Sequence, residues 1–212
     1  MSAHTLKPFV HILGRILWIG VLFVGGFGAC KIIAPLDDTF DEAMISFQAG
    51  GYQEASIQFQ DIVEQDPTFA EALCGLGLCQ ARLDRLGPAT QSLEQAMHLN
   101  GTLVDAHAGL AIVYSADNRD EEAIEEGEVA LHLLQNGASI LFHPLITEQA
   151  VRILLMHSYF RVGRWTEAQH LAEQLTGKNL EEYRTEDQWI LGGKAYDTYE
   201  AALLVFVEQA SE

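Results

Sequence analysis

Basic residues are scarce in this sequence. It holds 12 Lys and Arg against 30 Asp and Glu, which gives a formal net charge of −18 at pH 7. Lys7, Arg15 and Lys31 precede the first acidic residue, Asp37, so the chain from residue 32 onward has nine basic residues against all 30 acids, a charge of −21. A surface this acidic repels phosphate backbones and, without a tether, anionic membranes. The composition therefore excludes nucleic acid as a class of partner.

Cysteine is nearly absent as well. The three cysteines, Cys30, Cys74 and Cys79, cannot all pair within the chain. Cys74 and Cys79 lie in a segment that we interpret as helical, where they point about 140° apart around the axis and are too distant for a disulfide. We expect both to be small buried thiols. No spacing typical of a zinc site is present.

The motifs of common catalytic centres are missing. The sequence has no HExxH, no CxxCH, no GxSxG and no phosphate-binding glycine loop. The acidic run DEEAIEEGE (120–128) has helical spacing and lacks the order of a calcium loop, which indicates a solvated helix face. We therefore predict a protein that is not an enzyme and that has no cofactor, no metal site and no small-molecule substrate.

No uncharged apolar run is long enough by itself to cross a membrane. Residues 16–30 carry no charge, but a helix of this length rises about 22 Å, whereas the hydrocarbon core is about 30 Å thick. Apolar flanks extend the run to residues 9–34, and Arg15 and Lys31 can reach the headgroups. We interpret residues 1–35 as an N-terminal membrane anchor or signal segment, and we favour an uncleaved transmembrane helix.

Two cleavable signals compete with the anchor. Lys7 and Arg15, the stretch ILWIGVLFV and the ending FGAC resemble a lipoprotein signal acylated at Cys30, although Phe27 stands where an aliphatic residue is usual. Ordinary cleavage after Gly28 is the other alternative. In every case the basic end stays inside and the acidic body is translocated. We expect a single-pass protein of the bacterial inner membrane, with a cytoplasmic N-terminus and a periplasmic body, or else a lipoprotein.

A repeat of 34 residues runs through the rest of the chain. Small residues recur at this spacing: Ala43, Gly77 and Ala111; Ala55, Ala89 and Ala123; and, after an interruption, Ala168 and Ala202. His98 and His132 have the same spacing, so the repeat accounts for them without a metal. Turn signals fall at Gly50-Gly51, Gly87-Pro88, Asp117-Asn118 and Gly163.

This pattern resembles the tetratricopeptide repeat (TPR) family, in which small residues let two antiparallel helices cross closely. Gly101, Gly127 and Met156 depart from the family's pattern. The resemblance implies an all-α solenoid of about four to five helix-turn-helix repeats after one N-terminal transmembrane helix. The implied TPR domain covers residues 36–212, with repeats 36–69, 70–103, 104–137, 149–182 and 183–212 and an insertion at 138–148.

The resemblance also implies a concave groove lined by the first helix of each repeat. The implied partner-binding residues are Phe40, Met44, Phe47, Cys74, Leu78, Arg82, Ile112, Ile153, His157, Phe160 and Arg161. None of the Lys, Asn and Arg residues with which the family clamps C-terminal carboxylates occurs at the matching positions of these four repeats. The groove is instead apolar, which suits an apolar or amphipathic segment of a partner.

Two further segments are apolar. Residues 136–147, NGASILFHPLIT, form either a binding element or a local plug, and we expect Pro144 to start a lengthened helix. Residues 201–207, AALLVFV, are apolar nearly all round, so the last helix is either a partner contact or an imperfect cap of its own array.

These features together predict a membrane-tethered protein–protein interaction scaffold or assembly factor. Its groove is expected to bind an apolar or amphipathic segment of a membrane or exported protein complex. The alternatives are a permanent structural subunit of such a complex, or a pilotin-like TPR lipoprotein acylated at Cys30. The expected partners are proteins, with the membrane reached through the N-terminal helix.

Overall fold

The structure is a computed structural model of the chain, and it describes residues 36–185 and 188–211. Helices dominate this part of the chain, which contains nine α-helices. They are α1 (Leu36–Gln48), α2 (Tyr52–Gln65), α3 (Ala70–Arg82), α4 (Leu86–Leu99), α5 (Val104–Ala116), α6 (Asp120–Gln135), α7 (Glu148–Arg161), α8 (Trp165–Thr176) and α9 (Tyr199–Ala210).

The predicted anchor at residues 1–35, together with Cys30, lies outside the described residues. Among the helices that the structure does describe, none is long and apolar enough to cross a membrane.

Helices α1 to α8 form four consecutive pairs. Each pair falls within one of the first four predicted repeats, apart from Glu148, which begins α7 one residue early. Each helix packs against the next one, and contacts also join α1 to α3, α3 to α5 and α5 to α7. The first helices of the pairs therefore form one continuous inner layer, which is the layer that lines the predicted groove.

Each pair turns through one residue in the left-handed backbone conformation. These residues are Gly50, Asp84, Asn118 and Gly163, with φ between 59° and 80°. Glycine, Asp and Asn tolerate this conformation best. The predicted turn at Gly87-Pro88 is wrong because α4 already begins at Leu86. Pro88 lies in the first turn of that helix, where its missing N–H needs no partner.

Small residues stand where the helices approach most closely. Ala55, Ala89, Ala123 and Ala168 are fully buried. At Gly77, an added Cβ would lie only 2.6 Å from Cγ of Leu93. Gly127, which departs from the family's pattern, has a packing reason too, because Leu155 of α7 fills its space and would lie 2.8 Å from a Cβ there. The 34-residue pattern therefore reflects the contacts between helices.

The last predicted repeat, 183–212, differs from the prediction. Instead of a helix pair, it contains the end of a 3₁₀ helix (Leu180–Tyr183), the antiparallel strands β1 (Trp189–Leu191) and β2 (Lys194–Tyr196), and then α9. The strands are joined by Gly192 and Gly193, which both have positive φ. Two such glycines between β-prone residues favour a tight hairpin over a helix.

Helix α9 also takes a place that the repeat spacing does not predict. It packs against α8 and α7, as α3 packs against α2 and α1, and so occupies the position of a first helix. The spacing of Ala202 predicts a second helix, which is wrong. Its apolar side is covered within the described chain, since Ala202, Leu203, Phe206 and Val207 are buried and β1 packs against it. The last helix therefore acts as a cap, and only Leu204 among its large apolar residues is exposed, at 41%.

The two cysteines of α3 are buried free thiols, as predicted. Burial raises the pKa of Cys74 far above the ordinary thiol value and that of Cys79 to about 12. Both side chains are therefore neutral packing groups.

Candidate protein-binding groove

The loop between α6 and α7 fills part of the predicted groove. Phe142 of this loop is fully buried. Its ring packs edge-on against Phe47 of α1, with centroids 5.2 Å apart, and against Phe59 of α2, with centroids 6.0 Å apart. A segment inserted between the third and fourth repeats thus reaches the first repeat. Of the two predicted roles for the insertion, the structure favours the plug.

A buried carboxylate holds the main chain of this loop. Asp105, in the first turn of α5, is fully buried. Its Oδ2 accepts the N–H of Leu141 and its Oδ1 accepts the N–H of Phe142, each at 2.9 Å. Burial raises the pKa of Asp105, and although the two N–H groups lower it, the pKa stays above its ordinary value. A carboxylate in such a place requires these donors, since an unpaired buried charge is strongly unfavourable.

His107, two residues after Asp105 in α5, also makes two polar contacts. Its Nδ1 lies 2.6 Å from Oε2 of Glu126 and its Nε2 lies 3.2 Å from the carbonyl oxygen of Gly101. Because both neighbours are acceptors, the doubly protonated ring satisfies both contacts. Burial alone lowers the pKa of His107, but the bonds to Glu126 and Gly101 outweigh it and leave the pKa raised.

Pro144 does not start a helix, contrary to the prediction. The bond between His143 and Pro144 is cis, and α7 begins at Glu148. Thr147 caps that helix, because its Oγ1 accepts the N–H of Ala150 at 3.0 Å. The insertion is therefore a non-helical segment from the end of α6 to Thr147.

The predicted groove residues fall into three groups by exposure. Phe47, Cys74 and Leu78 are buried, at 2%, 0% and 1% exposed. Phe40, Met44, Ile112, Ile153, His157 and Phe160 are half-buried, and Arg82 and Arg161 are exposed. A partner cannot contact the three buried side chains in this conformation. They lie on first helices, as the resemblance implies. Their role in binding stays a prediction, and the sequence could not show that they are buried.

One group of predicted residues does surround an open recess. Leu78, Arg82 and Ile112 line a cavity of about 340 Å³ between α3 and α5, and Leu145 of the loop forms part of its wall. Arg82 extends over the ring of Tyr52, with Cζ 5.2 Å from its centroid. The recess is mostly apolar, its charged lining residues are Arg82 and Asp84, and it lies beside the loop.

Phe40 and Arg161, two of the other predicted residues, make defined contacts within the chain. Phe40 stacks on Phe69 with ring centroids 5.1 Å apart. Arg161 donates from Nε to Oδ2 of Asp120 at 2.9 Å and from Nη2 to Ser115 at 2.6 Å. Its charge is therefore already paired with a carboxylate. Arg161 acts mainly as a link between α5, α6 and α7.

His157 joins α7 to the end of the chain. Its Nε2 lies 2.8 Å from Oγ of Ser211, just after α9. Burial lowers the pKa of His157, and the charge of Arg161 lowers it further. A neutral ring at this position suits a structural contact between α7 and the cap.

A repeated tyrosine link escaped the sequence analysis. Tyr114 donates its hydroxyl to Oε1 of Glu94 at 3.1 Å, and its ring lies beneath Arg119, whose Cζ is 4.2 Å from the centroid. The same arrangement recurs in the next repeat with Tyr159, Glu128 and Arg164. The signal in the sequence is a Tyr at the end of a first helix with an Arg shortly after it. These links join successive repeats and are structural.

A second recess, of about 370 Å³, lies between α6, α7 and α8 and includes His132, His170, Glu128 and Glu167. Within the described residues, however, no three His, Cys, Asp or Glu side chains are grouped closely enough to hold a metal ion. The groove beside the loop is the candidate site because three predicted residues, Leu78, Arg82 and Ile112, line its recess.

Comparison with solved structures decides the fold. No family model matches the sequence. The chain is similar to the type III secretion translocator chaperone SycD of Yersinia enterocolitica, with 20% identity, a TM-score of 0.53, and coverage of 60% of this chain and 86% of that one. It is similar to MamA of Desulfovibrio magneticus RS-1, with 18% identity, a TM-score of 0.53, and coverage of 68% and 73%.

A third structure with the same arrangement is the Sgt2 TPR domain of Aspergillus fumigatus, with 14% identity, a TM-score of 0.52, and coverage of 62% and 81%. The chain has the TPR fold. The predicted resemblance to the TPR family is thus confirmed as a resemblance of fold. At these identities the likeness extends to the fold alone, so the partner of this TPR array has to be argued from its own residues.

Proposed function

We propose that this protein is a membrane-tethered protein–protein interaction scaffold or assembly factor. Its TPR groove binds an apolar or amphipathic segment of a membrane or exported protein complex. The observation that carries the proposal is that the inner face already holds an apolar segment of chain, residues 138–147, by both side-chain and main-chain contacts.

The accessible part of the groove supplies the contact surface for the partner. Ile112 and Leu145 present apolar surface at the recess between α3 and α5, and Arg82 stands at its edge. No carboxylate lies within ion-pair distance of Arg82 in the part of the chain that the structure describes. An apolar segment that ends in an acceptor group fits these side chains.

The tether is the part of the proposal that depends on residues 1–35. The body carries −21, which repels an anionic lipid surface, so membrane residence needs an inserted segment or a lipid. Lys7 and Arg15 orient such a segment with its N-terminus in the cytoplasm, which puts the TPR domain in the periplasm. Acylation of Cys30 is the lipoprotein alternative.

The comparison with SycD supports an exported partner. That protein is named as a chaperone of a secretion translocator. A chaperone of an exported protein belongs to the class of function proposed here, in which the groove shields a segment of its partner during assembly.

A permanent structural subunit is the second candidate. The filled groove favours it, because a face already covered by its own loop would leave contacts with a complex to other surfaces. The two candidates differ in exchange: an assembly factor leaves the finished complex, whereas a subunit stays in it.

The experiment is a cross-linked pull-down of the full chain from its native membranes, with mass spectrometry of the partners and of the N-terminal peptide. Ile112→Glu should abolish recovery of the partner, because it places a charge in the apolar recess. Ile57→Glu is the matched control, since Ile57 is an exposed isoleucine, at 50%, on the second helix α2. Equal recovery by both folded variants would contradict the groove as the working surface. An acylated Cys30 at the start of the chain would establish the lipoprotein.

A further inference from the structure

Residues 138–147 contact the groove in the way that a bound peptide does. Phe142 and Ile146 are buried, at 0% and 1% exposed, and Leu145 lines the recess beside Ile112. Two consecutive N–H groups, from Leu141 and Phe142, bond to one carboxylate. Main-chain bonds combined with side-chain pockets are the means by which proteins hold extended peptides. We call residues 138–147 the strap.

The strap has few other main-chain bonds. Ala138 donates to Leu133 at the end of α6, Ile146 donates to Phe142 within the strap, and the carbonyl oxygen of Thr147 accepts from Val151 of α7. Among the hydrogen bonds of the described residues, those that tie the middle of the strap to the rest of the array both end on Asp105. Residues 139–146, which are fixed at one carboxylate and by apolar side chains, can leave as a unit while Thr147 remains the cap of α7.

If the strap left and nothing replaced it, Asp105 would lose the N–H groups of Leu141 and Phe142. A carboxylate among apolar side chains that has lost two of its donors is less stable than one that keeps them, even though its own main-chain N–H still contacts it. A second segment of chain with two consecutive free N–H groups would restore both bonds. The interior of a helix cannot do so, since its N–H groups are already bonded within the helix, and a proline at either of the two positions lacks an N–H.

We infer that the strap is an internal ligand of the groove, and that the partner binds by displacing it. The partner segment is an extended, apolar stretch with an aromatic residue that enters the Phe142 site and with two main-chain N–H groups that bind Asp105. This inference rests on the proposed function and deepens it. It specifies that the partner segment is extended, within the broader class of apolar or amphipathic segments. It also states that the partner competes with the strap for the groove.

Competition has a quantitative consequence. When only a fraction of the molecules has an open groove, the apparent dissociation constant is the intrinsic one divided by that fraction. A strap that is closed in about 99% of molecules would weaken binding about a hundredfold. A chain without a working strap should therefore bind a groove ligand far more tightly than the natural chain.

The test uses a labelled synthetic peptide of residues 138–147 as the probe. In the full chain, Ser139–Ile146 is replaced by a Gly/Ser stretch of the same length, and binding is measured by fluorescence anisotropy. We expect the strap-replaced chain to bind the peptide at least about tenfold more tightly than the natural chain, with a peptide carrying Ser in place of Phe142 as the negative control. A folded strap-replaced chain that does not bind the peptide would overturn the inference.

Asp105 is tested in the strap-replaced chain. Asp105→Asn keeps one acceptor oxygen but sets an amide N–H against a peptide N–H, so the affinity for the peptide should fall about tenfold. Glu71→Gln is the matched control, because Glu71 stands at the same repeat position of α3. Equal losses in the two variants would contradict the assigned role of Asp105.

If the strap-replaced chain does not fold, a measurement on the natural chain tests whether the strap opens separately from the rest of the array. Amide hydrogen exchange of Leu141 and Phe142 should be at least about tenfold faster than that of Leu110 in the buried centre of α5, because the strap opens separately. Equal rates would mean that the strap leaves only on global unfolding, and the inference would be wrong.

The peptide experiment and the pull-down can fail independently, so failure of the strap inference differs from failure of the proposed function. Peptide binding together with no partner in the pull-down would support the strap and contradict the proposed scaffold. A partner captured by a chain whose strap never opens would support the scaffold and contradict the strap.

Discussion

The ring of Phe142 packs edge-on against the ring of Phe47, with centroids 5.2 Å apart. Phe47 is the penultimate residue of the first helix, and Phe142 lies in the loop after the sixth helix. In a simple array each repeat contacts only its neighbours. Here one side chain joins the third inter-repeat connection to the first repeat and closes over the groove residues between them.

Truncation of this side chain should lower the stability of the array. Phe142→Ala removes a fully buried ring, and we expect the free energy of unfolding to fall by about 3–5 kcal/mol. The neighbouring Leu141 is 40% exposed, so Leu141→Ala should change it by less than about 0.5 kcal/mol. Urea denaturation followed by circular dichroism measures both. A Phe142→Ala variant as stable as Leu141→Ala would contradict the packing described above.

The paired His107 should make stability depend on pH. The folded pKa of His107 is raised above the unfolded value, so its contribution is complete below the unfolded pKa of about 6.5 and is lost as the pH rises through the folded pKa. His107→Gln should therefore destabilise the protein more at pH 6 than at pH 9. Comparing each variant with the natural chain at the same pH cancels the titration of other groups, including Asp105.

Denaturant unfolding at the two pH values measures this difference. His98→Gln is the control, because His98 is an exposed histidine of α4. The prediction fails if the loss caused by His107→Gln is the same at both pH values.

Gly77 lies in a closely packed site, whereas Gly87 faces open space. Gly77→Ala places a Cβ 2.6 Å from Cγ of Leu93 and 3.2 Å from the carbonyl oxygen of Ala89, so we expect a loss of about 1–3 kcal/mol. Gly87→Ala meets no atom within 4 Å and lies in a helix, where alanine is favoured by up to about 1 kcal/mol. Thermal unfolding of the two variants should shift in opposite directions. A shift of the same sign and size would contradict the close crossing at Gly77.

Adjacent leucines test the cap. Leu203 is fully buried in α9, whereas Leu204 is 41% exposed. Leu203→Glu buries a charge without a partner and should unfold the C-terminal end or cause aggregation. Leu204→Glu should leave the folded monomer intact. Gel filtration and limited proteolysis of the two proteins distinguish these results, and a well-behaved Leu203→Glu variant would mean that α9 does not cap the array.

The 34-residue spacing predicted the four helix pairs because it records local packing. Ala55, Ala89, Ala123 and Ala168 are small because each lies at a helix crossing, and this requirement repeats with every pair. The spacing failed at Ala202, since a matching small residue can serve either helix of a pair. The Gly192-Gly193 turn was the local signal that a hairpin precedes α9.

The candidate site was harder to predict. Leu78 and Ile112 do lie on first helices, but their exposure depends on where the strap lies, which no short-range pattern encodes. Asp105 gave no distinctive signal, because an acidic residue in the first turn of a helix is ordinary. Only the folded chain reveals that its carboxylate faces two N–H groups of a distant loop.

The contact between Phe142 and Phe47 also changes how the array should come apart. Arrays whose repeats touch only their neighbours unfold as a one-dimensional chain, with terminal repeats fraying independently. The packing contact between the first repeat and the loop after the third repeat links two parts of the array that are not neighbours. The contacts of the first three repeats therefore form a closed loop. Loss of the first repeat then exposes the ring of Phe142, so the first three repeats should melt as a single cooperative block as long as the strap is closed.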